Sequence, residues 1–349
     1  MEAQTSTFTP ETGSASAASP QKLLQLAMGF WASKALLSAV ELDLFTVLGK
    51  GPRTATQLME QLQLHPRSAH DFLDALVALG VLDRDDGLYR NSADAGAFLD
   101  RAKPGCIAGM LLMANNRLYP FWGSLTEALR TGLPQNEARQ GGNAFEAIYR
   151  DERGLREFLG AMTGVSLDLA KEIAQKFPWQ NYRSVVDVGT AQGALVAEVA
   201  RAHEHLSGIG FDLPAVAPMF NDYIAANGLQ DRIHFQPGDF FKDAMPSADV
   251  LVMGHILHDW NLEQKRELLA RSYQALPAGG CVIVYDAMID DERRHNAFGM
   301  LMSLNMLIET PGGFDYTARQ CREWMTEAGF REIRVEPLAG QNSMIVGVR

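Results

Sequence analysis

Cysteine, positive charge and long apolar runs are all scarce in this sequence. Its three cysteines, Cys106, Cys281 and Cys321, stand far apart and form no CxxC spacing. Such an odd, scattered set supports neither a disulfide framework nor a zinc cluster, so they read as isolated core thiols and no metal is expected. Lys and Arg number 31 against 42 Asp and Glu, a formal charge of −11. That sign opposes phosphate backbones and anionic membrane surfaces. No stretch of about 20 apolar residues reads as a bilayer span, and the first residues lack the basic start and apolar core of a secretory signal. The expectation is a cytoplasmic protein with no nucleic-acid or membrane partner.

What is present is a chain 47% apolar and 21% charged. That composition fits a soluble globular protein of one large or two ordinary domains, with small-molecule chemistry as the default. Residues 1–20, MEAQTSTFTPETGSASAASP, hold almost no large apolar side chains and bury too little to offset ordering entropy, so they read as a flexible tail.

Residues 21–100 have mostly helical periodicity and then read helix, turn, helix, hairpin. Thr54 or Thr56 caps a short helix, Pro66 opens the next, and Asp86-Gly87 turns a hairpin in VLDRDDGLYRNS. This is the pattern of a winged helix. The first hundred residues carry seven Lys or Arg against twelve Asp or Glu, and the candidate recognition helix sets Arg67 and His70 against Asp71 and Asp74. A DNA reader needs the opposite balance. The segment LLQLAMGFWASKALLSAVELDLF has more apolar residues than one helical face uses, which points to pairing with a second copy as a homodimer. Residues 101–180 read as helical, with a loop at GLPQNEARQGGN (residues 132–143).

From residue 184 the rhythm changes. The runs SVVDVG, SGIGFDL, RIHFQPGD, ADVLVMGH, GCVIVYDA, EIRVEPL and SMIVGVR alternate with amphipathic helices. This implies parallel strands with crossover helices and a ligand crevice beyond the strands' carboxyl ends. After the first strand, DVGTAQG has Ala191 and Ala194 where the dinucleotide fingerprint needs glycine, so a nicotinamide or flavin site is disfavoured. Gly189 and Gly193 still permit a tight turn and close backbone approach. Asp212 ends the second strand, where a carboxylate can accept both hydrogen bonds of a ribose diol. Asp239, after the third, could accept from an adenine amino group or from its own loop's amides.

As an ordered set, DVGTAQG, GFDLP, GDFF, LHDW, PGGFDYT and EAGF resemble the small-molecule O-methyltransferases that use S-adenosylmethionine (SAM), over residues 24–349. That family includes plant phenylpropanoid, acetylserotonin and bacterial antibiotic-tailoring enzymes. The resemblance implies an α/β fold of the class I methyltransferase type, a Rossmann-like doubly wound sheet at 181–349. It also implies an N-terminal winged-helix dimerisation domain at 21–100 and a helical region at 101–180 that contributes to the acceptor pocket.

By family position, SAM would be held by Ser166, Asp187, Gly189, Gly193, Asp212, Leu213, Gly238, Asp239, Phe240, Gly254 and Trp260. His258 of LHDW matches the general base, and histidine has the side-chain pKa nearest neutrality. Asp286 and Asp315 match the flanking acids, which are commonly Glu in plant members, so their reach to His258 is an open point. Asp259 is expected to hydrogen-bond near a helix start, and His255 to pack or to contact the adenine side. The acceptor wall would be Met113, Trp122, Phe158, Met162, Met302, Asn305 and Met306, a set that suits a flat aromatic ring. The implied activity is methylation of a hydroxyl, most simply phenolic, on a secondary metabolite. The alternatives are methylation at carbon or nitrogen and a non-methylation reaction on the same cofactor.

Overall fold

The computed structural model describes residues 18–103, 105–140, 149 and 152–349. The expected tail falls, up to residue 17, outside the described residues, as do residues 141–143 at the end of the expected loop.

The chain opens with the helix Gln21–Glu41, on which Leu23, Leu24, Leu26, Met28, Phe30 and Trp31 all lie exposed. By length and composition alone this helix is apolar enough to cross a membrane, which corrects the expectation that no segment would qualify. A three-stranded antiparallel sheet follows, in the order β1 (Arg53–Thr54), β3 (Leu88–Asn91), β2 (Leu82–Asp85), packed with the helices Ala55–Leu62 and Ala69–Ala78. Thr54, not Thr56, caps its helix, in a capping box with Gln57. Pro66 does not open the next helix: it lies in a turn, and the helix begins at Ala69. Asp86 and Gly87 take φ of 48° and 76°, the two left-handed residues of a tight hairpin turn. The arrangement is a winged helix.

Short helices from Ala108 to Thr131 and the long helix Glu152–Lys176 lead to the main sheet. Its strands are β4 (Ser184–Val188), β5 (Ser207–Asp212), β6 (Ile233–Pro237), β7 (Val250–Gly254), β8 (Cys281–Asp286), β9 (Arg331–Pro337) and β10 (Ser343–Val348), in the order β6-β5-β4-β7-β8-β10-β9. All seven runs read from the sequence are strands. Six of the seven run in one direction and β10 alone is reversed, pairing antiparallel with β8 and β9, because β9 returns directly into β10 without a crossover helix.

The central strands are apolar on both faces, as a sheet covered on both sides must be. Val250, Val252, Ile283 and Tyr285 belong to one core, and Leu251, Met253, Val282 and Val284 to the other. The chain leaves β4 toward β5 on one side and comes back to β7 on the other. This topological switch opens a crevice at the tips of β4 and β7, where ligands bind in open α/β sheets.

The loop after the helix Ala297–Glu309 ends at Thr317, which caps the helix Ala318–Ala328 in a capping box with Gln320. Thr317→Ala should lower stability by about 1 kcal/mol, read as a lower urea midpoint at unchanged slope. A wild-type midpoint would show that the cap contributes nothing.

Candidate functional site

Three strand tips form one side of the crevice. After β4, Gly189 and Gly193 take φ of 71° and 86°, and a Cβ on Gly189 would sit 2.2 Å from Ile256 Cδ1 across the switch. The turn therefore needs glycine both for conformation and for space. Asp187 accepts from the Thr190 hydroxyl at 2.8 Å, and burial pushes its carboxyl up to about 7. Asp212 accepts from the Ala191 amide (2.9 Å) on one oxygen and from the Leu213 amide (2.7 Å) on the other. Each oxygen keeps a lone pair for a further donor. Burial pushes Asp212 up to about 6 against those two bonds.

Gly238 donates to the Asp212 carbonyl and lies against the Phe211 ring, where a Cβ would approach to 2.3 Å. Asp239 accepts from the Phe241 amide of its own loop at 2.9 Å and pairs with Lys242. Trp260 packs edge-on against Phe240 and Phe241. Gly254 is required by the Tyr285 ring, 1.9 Å from where a Cβ would stand, and Tyr285 in turn hydrogen-bonds Ser166 of the long helix.

The tip of β7 carries a buried cluster of titratable side chains. The chain turns at His255, with φ of 54°, into a short 3-10 turn, Leu257–Asp259, that buries His258. His258 Nδ1 lies 3.2 Å from Asp315 Oδ1 and 3.7 Å from Asp286 Oδ1, and Nε2 lies 3.6 Å from Asp259 Oδ1. Asp315 thus reaches the ring by a hydrogen bond, while Asp286 acts at ion-pair range. Burial disfavours the imidazolium, but Asp286, Asp259 and Asp315 outweigh it and raise His258 to about 10. Burial also raises Asp315, and Asp259 to about 7. Asp286 is buried too, yet His258, His255 and the Tyr316 hydroxyl hold it below the ordinary carboxylate range.

Asp259 is therefore not the helix-start residue expected of it; Asn261 caps the helix Leu262–Ala275. His255 faces Asp286 at 3.5 Å and sets its ring edge-on to Tyr285. The paired glycines of PGGFDYT have a steric reason: a Cβ on Gly313 would lie 2.6 Å from the His258 carbonyl and 2.7 Å from that of Asp259.

Of the expected acceptor wall, Met113, Trp122, Phe158, Met162 and Met302 are half-buried and Asn305 and Met306 buried. Trp122 Nε1 donates to Asn305 Oδ1 at 2.8 Å, joining the two helical regions. The sequence reading missed two groups. Tyr149 is half-buried within the electrostatic reach of Asp212 and Asp259, which with desolvation raise its phenol. Lys265 is fully buried beneath the His258 loop. Neither belongs to a motif, though a lysine flanked by helix residues with apolar neighbours three and four positions on was the available signal.

Residues 122–331 match the O-methyltransferase domain family and residues 24–101 the O-methyltransferase dimerisation domain. The chain is 46% identical to the tetracenomycin polyketide synthesis 8-O-methyl transferase TcmO of Streptomyces glaucescens, over 94% of this chain and 96% of that protein. It is 39% identical to the N,N-dimethyltransferase OxyT of Streptomyces rimosus, over 91% and 93%. Among solved structures, human N-acetylserotonin methyltransferase in complex with SAM superposes with a TM-score of 0.88 at 28% identity, covering 97% of this chain and 99% of that one.

The residues fit SAM. The glycine turn has no room for a Cβ at Gly189, and Asp212 keeps a lone pair on each oxygen for a further donor. Asp212→Ala should weaken SAM binding by roughly tenfold or more, the scale of a lost charge-assisted hydrogen-bond pair. In wild type the affinity should fall as pH drops through about 6, where Asp212 takes up a proton. Calorimetry showing an unchanged affinity in the variant would reject the assignment.

Proposed function

This chain belongs to the SAM-dependent O-methyltransferase family, and on that premise we propose that it methylates a phenolic hydroxyl of a small aromatic secondary metabolite, with His258 as general base. The observation that carries the reading is the buried His258 ring at the tip of β7, hydrogen-bonded to Asp315 and ringed by carboxylates. When bound, SAM supplies a sulfonium methyl as the electrophile. A hydroxyl is a poor nucleophile until it loses its proton, and His258 is placed to take it. Asp315 accepting from Nδ1–H fixes the ring, leaving Nε2 to exchange a proton with the acceptor, while Asp286 stabilises the imidazolium that forms.

The electrostatics support a cationic ligand. Asp259, Asp286 and Asp315 face His258 and Lys265, and with all five ionised the cluster carries one negative charge that a monocation complements. Without it, His258 at about 10 holds its proton at neutral pH. With a monocation in the pocket, the field that retains that proton weakens, and His258 falls toward the range in which a base works.

The thioethers of Met113, Met162, Met302 and Met306, with Trp122 and Phe158, offer polarisable surface to a flat ring. The name of the polyketide-tailoring relative TcmO agrees with such an acceptor. A second reading, transfer to nitrogen, is favoured by the likeness to OxyT. Mass spectrometry of products from methyl-labelled SAM with hydroxy- and amino-substituted naphthoates separates the two.

The partner of the dimerisation domain is a second copy of the chain. The exposed apolar face of Gln21–Glu41 borders a groove lined by Phe30, Trp31, Leu64, Phe72 and Tyr119, and a homodimer would cover both. Wild type should sediment as a dimer at micromolar concentration, and Leu26→Glu with Trp31→Glu should shift it toward monomer. A stable wild-type monomer would overturn this reading.

For the base, His258→Ala should leave SAM binding nearly intact and cut turnover at neutral pH by roughly 100-fold or more. Its deficit should shrink as pH approaches the acceptor phenol's own pKa, about 10 when unperturbed, because an ionised acceptor needs no base. Wild-type turnover at neutral pH would sink the assignment.

A further inference from the structure

We propose that Lys265 is a positioning residue for the base: its ammonium ties the loop that carries His258 to the loop that carries Asp315 and so holds the two in register. Lys265 lies on the helix Leu262–Ala275 with no exposed surface. A lysine is buried whole only against specific compensation. Here Nζ donates to the carbonyl of Trp260, two residues past His258, and stands 3.7 Å over the centroid of the Phe314 ring, the neighbour of Asp315. A desolvated ammonium on an aromatic face is a directional attachment as well as a charge.

Every element packed around Lys265 presents a group to it. Asp259 comes from the His258 loop, Asp286 from β8, Asp315 and the Tyr316 ring from the glycine loop, and Cys321 from the helix Ala318–Ala328. Burial brings its pKa down to about 8 while the three carboxylates pull it up, so the ammonium is mostly charged at neutral pH. The two loops it joins already touch: Gly313 lies against the carbonyls of His258 and Asp259 with no room for a side chain. A displaced Phe314 therefore carries Asp315 away from His258 Nδ1. Lys265 touches no reacting atom and acts through Asp315.

The inference rests on His258 being the base, and its test reads the ring without an acceptor. In SAM-bound full-length protein with 15N-labelled histidine rings, the His258 Nδ1–H resonance is assigned by its absence from His258→Ala. Wild type should show it downfield and slow to exchange at neutral pH. Lys265→Met keeps stem length and apolar volume; it should abolish that signal or speed its exchange by about tenfold or more, with SAM affinity by calorimetry no weaker than wild type, because the loss of a cation leaves the cluster more negative. An unchanged ring signal, or SAM binding lost alongside it, would overturn the proposal. If Lys265→Met does not fold, Phe314→Leu carries the same test: it removes the aromatic face and leaves the ammonium, and an unaltered signal there overturns the proposal equally. The role of His258 as base fails separately, when His258→Ala retains wild-type turnover while the ring signal still responds to Lys265.

Discussion

Three carboxylates buried around one imidazole set the main electrostatic constraint on this site. Like charges at such spacing in a low-dielectric pocket cannot all remain ionised without positive charge nearby. Asp259, Asp286 and Asp315 find it in His258 and Lys265, and the balance still falls one charge short. With all five groups ionised, that deficit suits a cationic ligand better than a neutral or anionic one.

That arrangement depends on backbone placed with little tolerance. The 3-10 turn at Leu257–Asp259 and the loop through Gly313 pack backbone against backbone, and the Thr317 cap fixes where the second of them ends. On the cofactor side, the Gly189 turn and Asp212 are joined by the Ala191 amide, so the two strand tips form a single rigid edge. The switch between β4 and β7 sets the two sides facing each other. Trp122 and Asn305 are hydrogen-bonded between helical regions 183 residues apart.

The exposed apolar helix at the N-terminal end has a different logic. Its large side chains do not serve the chain's own core, which is built from Leu44, Phe45, Leu58, Leu73 and Leu76 behind the wing. A surface of that kind in a chain of net negative charge is suited to a partner of matching apolar character rather than to DNA.

The sequence by itself determined what depends on short-range pattern. Alternating apolar runs marked all seven strands of the main sheet, Asp-Gly marked the wing turn, and the ordered motifs placed His258, Asp286, Asp315 and Asp212 on strand tips and loops that meet at the crevice. Tertiary structure alone decided the rest. The antiparallel return of β9 into β10 follows from sheet order, which strand composition does not encode. Asp259 lies in the 3-10 turn and faces His258, and Asn261, two positions on, caps the helix instead. Leu268 and Leu269, three and four positions on, only hint at the burial of Lys265, since the groups that compensate its charge come from β8 and the glycine loop, distant in sequence. Period and turn chemistry are properties of neighbours along the chain, whereas the pKa of a buried group is set by whichever charges folding brings within a few ångströms of it.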